Sequence, residues 1–148
     1  MIVELVMIEK LLIAALFGGL VGVERQMHEK PAGLRTHVLV CTGATLFTIV
    51  SLSFSEWSAA IAAGVVTGIG FIAAGSIFKE RDNVKGLTTA ADLWVIAAIG
   101  LSIGIGYYVV AAFATAITLG ILLIGRVLDT YLDKRARALG SKKRPPFI

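Results

Sequence analysis

The chain has 148 residues, of which 57% are apolar and only 16% charged, with a net charge of +4. That excludes an ordinary soluble domain, which needs more polar surface to stay solvated. The basic residues flank long uncharged runs instead of interleaving with aromatics, so the positive charge fits a membrane surface and not nucleic acid.

Taken in chain order, four stretches are apolar enough to enter a bilayer. Met7 to Val23 comes first, interrupted only by Glu9 and Lys10 near its outer end. Acidic Glu4 and Glu9 precede it where a signal peptide would be basic, so this segment is expected to be retained. Val38 to Phe54 and Trp57 to Phe78 carry no charge. Leu93 to Gly125 is an uncharged run of 33 residues, whereas one span needs about 20. Gly104 and Gly106, followed by Tyr107 and Tyr108, favour a break there. The run therefore divides into helices of about Thr89 to Ile105 and Tyr107 to Arg126, which makes five spans.

Charge sidedness supports five. All of the 14 basic residues except Lys10 then fall on one side, with Glu4, Glu9, Glu56 and Trp57 opposite. The positive-inside rule places the N-terminus outside and the C-terminus in the cytoplasm. The expected fold class is all-α, a polytopic bundle of five tightly packed transmembrane helices in the plasma membrane. Residues 1–126 form the transmembrane domain. Residues 127–148 form a basic juxtamembrane tail that extends the last helix and stops at Lys142-Lys143-Arg144-Pro145-Pro146.

Small residues four apart mark close helix contacts in lipid. The pairs are Gly18 and Gly22, Gly64 and Gly68, and Gly100 and Gly104, with Gly70 and Gly75 placed beside them. Packing within the bundle is the first reading of these stripes, and a homodimer through one of them is the second.

Polar residues gather at the basic ends of the spans. Glu24 and Arg25 close the first. Pro31 and Gly33 turn the loop and bring Lys30 towards Arg35. Thr36 is a candidate N-cap for the second helix. In the next loop Gly86 allows a turn after Lys85, and Thr89 with Asp92 has capping-box spacing, with Thr88 beside it. In one reading Glu24 pairs with Arg35 while Asp92 caps its helix. In the other, Glu24, Arg25, Lys30, Arg35, Thr36, Lys85, Thr88, Thr89 and Asp92 line a polar pocket for an ion, a lipid headgroup or an acidic partner segment.

No catalytic set emerges. His28 and His37 lack a second ligand at metal-binding spacing, His37 fits an interfacial helix start, and no Ser or Cys has an evident base. Neither catalysis nor a cofactor is expected. Two carboxylates among several cations make a poor Mg²⁺ site; Mg²⁺ is the metal weighed, with weak support, and no ligands are assigned to it. The absence of charge within the third and fifth spans argues against a proton or ion relay through the bundle.

Four motifs together resemble the MgtC/SapB family: Gly18-Gly19-x-x-Gly22-x-Glu24-Arg25-Gln26; Lys30-Pro31-Ala32-Gly33-Leu34-Arg35-Thr36-His37; Gly68-Ile69-Gly70-Phe71-x-x-Ala74-Gly75; and Gly86-Leu87-Thr88-Thr89-Ala90-Ala91 with Trp94. The likeness covers roughly Leu5 to Gly125. It implies a membrane protein linked to magnesium homeostasis, regulating partner membrane proteins such as the ATP synthase. A cation transporter and an anionic-lipid or anion-binding module are the alternatives. Some members carry a soluble C-terminal regulatory domain, and functions needing it are not expected of this sequence. Asp92 stands where many relatives are expected to have a small or hydroxyl residue.

Overall fold

The computed structural model describes residues 1–54, 58–80 and 83–138. They form five helices and one small hairpin: α1 (Ile2–Met27), α2 (Leu34–Ser51), α3 (Ser58–Ala74), β1 (Phe78–Glu80), β2 (Asn83–Lys85), α4 (Leu87–Ile105) and α5 (Tyr108–Ala138). Helices α1, α2, α4 and α5 are long and apolar enough to cross a membrane. Helix α3 is apolar too but has only 17 residues, about 25 Å at 1.5 Å per residue. This is an all-α, multi-pass membrane protein.

The long uncharged run does break at the glycines. Gly106 adopts a left-handed conformation with φ 93°. Its N–H donates to Ile103 O, and the N–H of Tyr107 donates to Ser102 O at 2.8 Å. This Schellman ending satisfies the last carbonyls of α4 and releases the chain into α5. Helix α1 ends in the same hydrogen-bond pattern, but the left-handed position is filled by Glu29, with φ 51°.

Helix α2 packs closely against both α1 and α4, with Cys41 touched from both sides of the seam. A Cβ on Gly18 would stand 2.7 Å from His37 O, and one on Gly22 2.7 Å from Leu34 Cα. From α4, a Cβ on Gly100 would collide with Cys41 O, and one on Gly104 with Thr48. All four glycines let backbones touch, as expected of small residues at helix crossings in lipid. Ala14, Val21, Cys41, Ile96, Ile99 and Ile103 fill the space between them. Thr45 Oγ1 spans α2 and α4 through a 2.8 Å hydrogen bond to Gly100 O. At the far end from the basic loops, Lys10 Nζ donates to Gly104 O at 2.7 Å. That contact ties α1 to the C-terminus of α4, where the helix dipole favours a cation.

Helix α3 departs from expectation. It rests on its neighbours through Ile69 and Ala73, packed near Ala44, Leu93 and Ala97. A Cβ on Gly64, Gly68 or Gly70 would meet nothing within 4 Å, and one on Gly75 only Ile72 O of its own last turn. These four glycines therefore make no close helix contact within the bundle, because the Ile69–Ala73 face carries the packing instead.

The second basic loop forms an antiparallel hairpin that was not foreseen, pairing Phe78 with Lys85, Lys79 with Val84 and Glu80 with Asn83. Gly86, with φ 87°, closes it where a Cβ would run into Ser76 O. Glu56, Trp57, Arg81 and the basic stop after Ala138 lie outside the described residues.

Candidate functional site

The polar cluster sits where the C-terminus of α1 meets the starts of α2 and α4. Arg25 is at its centre, with only 4% of its surface exposed. Its Nε lies 2.7 Å from Asp92 Oδ2. Neither atom makes an aligned hydrogen bond, so the contact is primarily one of charge. Arg25 Nη2 donates to Thr89 Oγ1 at 3.3 Å. The other Asp92 oxygen, Oδ1, is 3.2 Å from Nε2 of fully buried His37. The Nδ1 atom of His37 stands 2.9 Å from Gly33 O. A carbonyl only accepts, so Nδ1 carries a hydrogen. The Nε2–Oδ1 contact is then a hydrogen bond only when a further proton sits on one of its two atoms.

Glu24 is the second buried carboxylate. Its Oε1 accepts from Arg126 Nη2 of α5, and its Oε2 is 3.7 Å from Arg25 Nη1. The two carboxylates Glu24 and Asp92 thus balance the two guanidiniums of Arg25 and Arg126. Balance matters here, because removing one member of a buried pair typically costs about 3–5 kcal/mol. Helix α5 must return to the basic end for Arg126 to reach Glu24, and the turn at Gly106 makes that possible.

Of the residues singled out in the sequence, Glu24, Arg25, Thr89 and Asp92 converge. Lys30 and Thr88 stand beside them at a pocket described below. Arg35 and Lys85 are exposed, and Thr36 is half-buried in the first turn of α2. Three detailed expectations are corrected. Glu24 pairs with Arg25 and Arg126 and not with Arg35. Leu34, His37 and Cys41 turn towards α1, which leaves Arg35 about 100° round the helix from Leu34. Gly33, not Thr36, is the N-cap of α2, and the N–H of Leu34 donates to Gln26 Oε1 at 3.1 Å. Gly86 caps α4, so Thr89 and Asp92 lie inside that helix and their side chains serve the cluster.

His37 and Arg126 were missed as members of the cluster. The i, i+3, i+7 spacing of Leu34, His37 and Cys41 could have revealed the first. The sequence holds no comparable signal for the second, whose partner is 102 positions away.

Two hollows open beside the cluster and the core. One, of about 440 Å³, is at the basic end. Glu24, Lys30 and Thr88 line it on one side and Ile121, Leu122, Arg126 and Asp129 of α5 on the other. The second is a groove of about 580 Å³ between α2 and α3, almost entirely apolar, with Leu39, Gly43, Phe47, Gly64, Gly68 and Ile72 among its walls. Gly43 resembles Gly64 and Gly68 in that an added Cβ would meet nothing within 4 Å.

The sequence profile of the MgtC family matches residues 11–131. The chain is 49% identical to a protein of Escherichia coli (strain K12) named putative magnesium transporter YhiD, with 76% of this chain and 57% of that protein covered. It is 45% identical to Protein MgtC of Brucella abortus (strain 2308), covering 86% and 55% of the two chains. With Protein MgtC of Salmonella typhimurium (strain LT2) the identity is 50%, over 74% and 48%. The chain thus spans about half the length of the curated relatives it matches. No solved structure matches it significantly.

Proposed function

The chain belongs to the MgtC family, and from that premise we propose that it is a regulator linked to magnesium and ion homeostasis in the plasma membrane. It acts through contact with a partner membrane protein, not by catalysis or by carrying ions itself. The observation that carries this reading is the apolar groove between α2 and α3, where Gly43, Gly64 and Gly68 stay open while the other helix-crossing glycines are closed. Small residues on a lipid-facing helix let a partner's backbone come close. Helix α3 is also short for a typical ~30 Å hydrocarbon core, and association is one way for a short helix to relieve mismatch.

The polar side chains within the spans support contact over conduction. Thr48, Thr115 and Thr118 each donate at 2.8 Å to the carbonyl one turn back, which ties these hydroxyls to their own helices. Among the described residues, no group of three His, Cys, Asp or Glu side chains could hold a metal.

The relative named as a putative magnesium transporter makes flux the proper test. Liposomes containing only the purified chain are expected to take up Mg²⁺ no faster than empty liposomes. Saturable uptake that is lost on substitution of the buried cluster would overturn the reading.

A further inference from the structure

The pocket at the basic end contains two opposite charges that do not find each other. Lys30 and Asp129 both line it. Neither has an ion pair or side-chain hydrogen bond among the described residues. Arg126, in the same lining, gives one N–H to Glu24 and has further donors. Ile121 and Leu122 also line the pocket, and Ile121 is 64% exposed on α5. The pocket therefore combines charged groups with an apolar side chain that is also exposed on α5. A free anion would satisfy Lys30 and Arg126 but would sit against Asp129. A ligand bearing both an anionic and a cationic group, with an apolar tail, matches Lys30, Arg126, Asp129 and Ile121 together.

We propose that this pocket binds the headgroup of an aminophospholipid, with its phosphate at Lys30 and Arg126, its ammonium at Asp129 and its acyl chains leaving over Ile121. The ammonium must supply N–H donors, since a carboxylate accepts hydrogen bonds. A phosphatidylethanolamine headgroup meets that requirement. Phosphatidylcholine keeps the charge but has no N–H, and phosphatidylglycerol has no cation. The free headgroup shares the chemistry but lacks the chains.

The test uses the full chain in detergent, with lipid binding read by native mass spectrometry and by thermal unfolding. Phosphatidylethanolamine is expected to be retained about tenfold better than phosphatidylcholine or phosphatidylglycerol, the order of one charge-assisted hydrogen bond. Asp129→Asn should abolish the preference for ethanolamine over choline, and Lys30→Gln should weaken binding of all three lipids. Both side chains lie outside the buried cluster, so each variant should unfold at the wild-type temperature without added lipid. Equal retention of the three lipids, or an ethanolamine preference that survives Asp129→Asn, would overturn the proposal. Phosphoethanolamine alone, at millimolar concentration, should produce no shift. A shift equal to that of the lipid would overturn the lipid assignment in favour of a soluble zwitterion.

Discussion

Gly100 and Gly68 fall in the same kind of sequence pattern, each in a four-residue small-residue pair on an apolar helix, yet the fold uses them in opposite ways. Gly100 lies where α4 meets α2 and has no room for even one methyl group, while Gly68 on α3 faces open space. Spacing shows that a helix can be approached, but only packing shows whether its own chain makes the approach. The closed region, α1, α2 and α4, also contains the buried charges. The open region is apolar and unpartnered. We therefore read the first as the device that holds the fold and the second as the surface offered to another protein.

The largest effect should come from the closed region's charges. Asp92→Ala leaves Arg25 buried without its carboxylate and should cost about 3–5 kcal/mol. Thermal unfolding in detergent would show this, and a loss below about 1 kcal/mol would mean that Arg25 reaches water. Next comes the glycine contrast itself. Gly100→Ala should destabilise by about 1–3 kcal/mol through overpacking. Gly68→Ala should be neutral or gain up to about 1 kcal/mol, since alanine is the better helix former. Equal losses at the two positions would erase the distinction between the regions.

Much of the closed region was legible in advance. Continuous apolar runs gave the helices, and the paired glycines near Gly106 gave the break, because a 33-residue run is too long for one span. Glu24, Arg25 and Asp92 stood out because charge at a membrane boundary needs partners. What could not be read was pairing across distance. The choice of Arg35 for Glu24 followed from loop proximity, whereas Arg126 arrives on α5, four helices later in the chain. The hairpin was hidden for another reason. Strands of three residues are too short to show alternation. The misreading of Gly64 and Gly68 is the most instructive, since nothing in a single helix says which of its faces its own chain will cover.

A smaller effect tests the corrected pairing. In a double-mutant cycle, Glu24→Gln and Arg126→Gln should couple by about 1 kcal/mol or more, while Glu24→Gln and Arg35→Gln should be additive. The smallest is a gain at the end of α1. Glu29 occupies a left-handed position usually given to glycine, so Glu29→Gly should stabilise by about 0.5–1 kcal/mol. A loss there would mean that the Glu29 side chain makes a contact worth more than the backbone strain.

The central claim, that the open face of α3 is a contact surface, is tested most directly by photocrosslinking in intact membranes. A photoreactive residue at Gly68 should give a discrete adduct with another membrane protein, identified by mass. The same residue at Phe113, which is 67% exposed on α5, should react with lipid alone. Adducts at Gly68 containing only a second copy of this chain would make the groove a dimer seam. Lipid adducts alone at both positions would contradict the account.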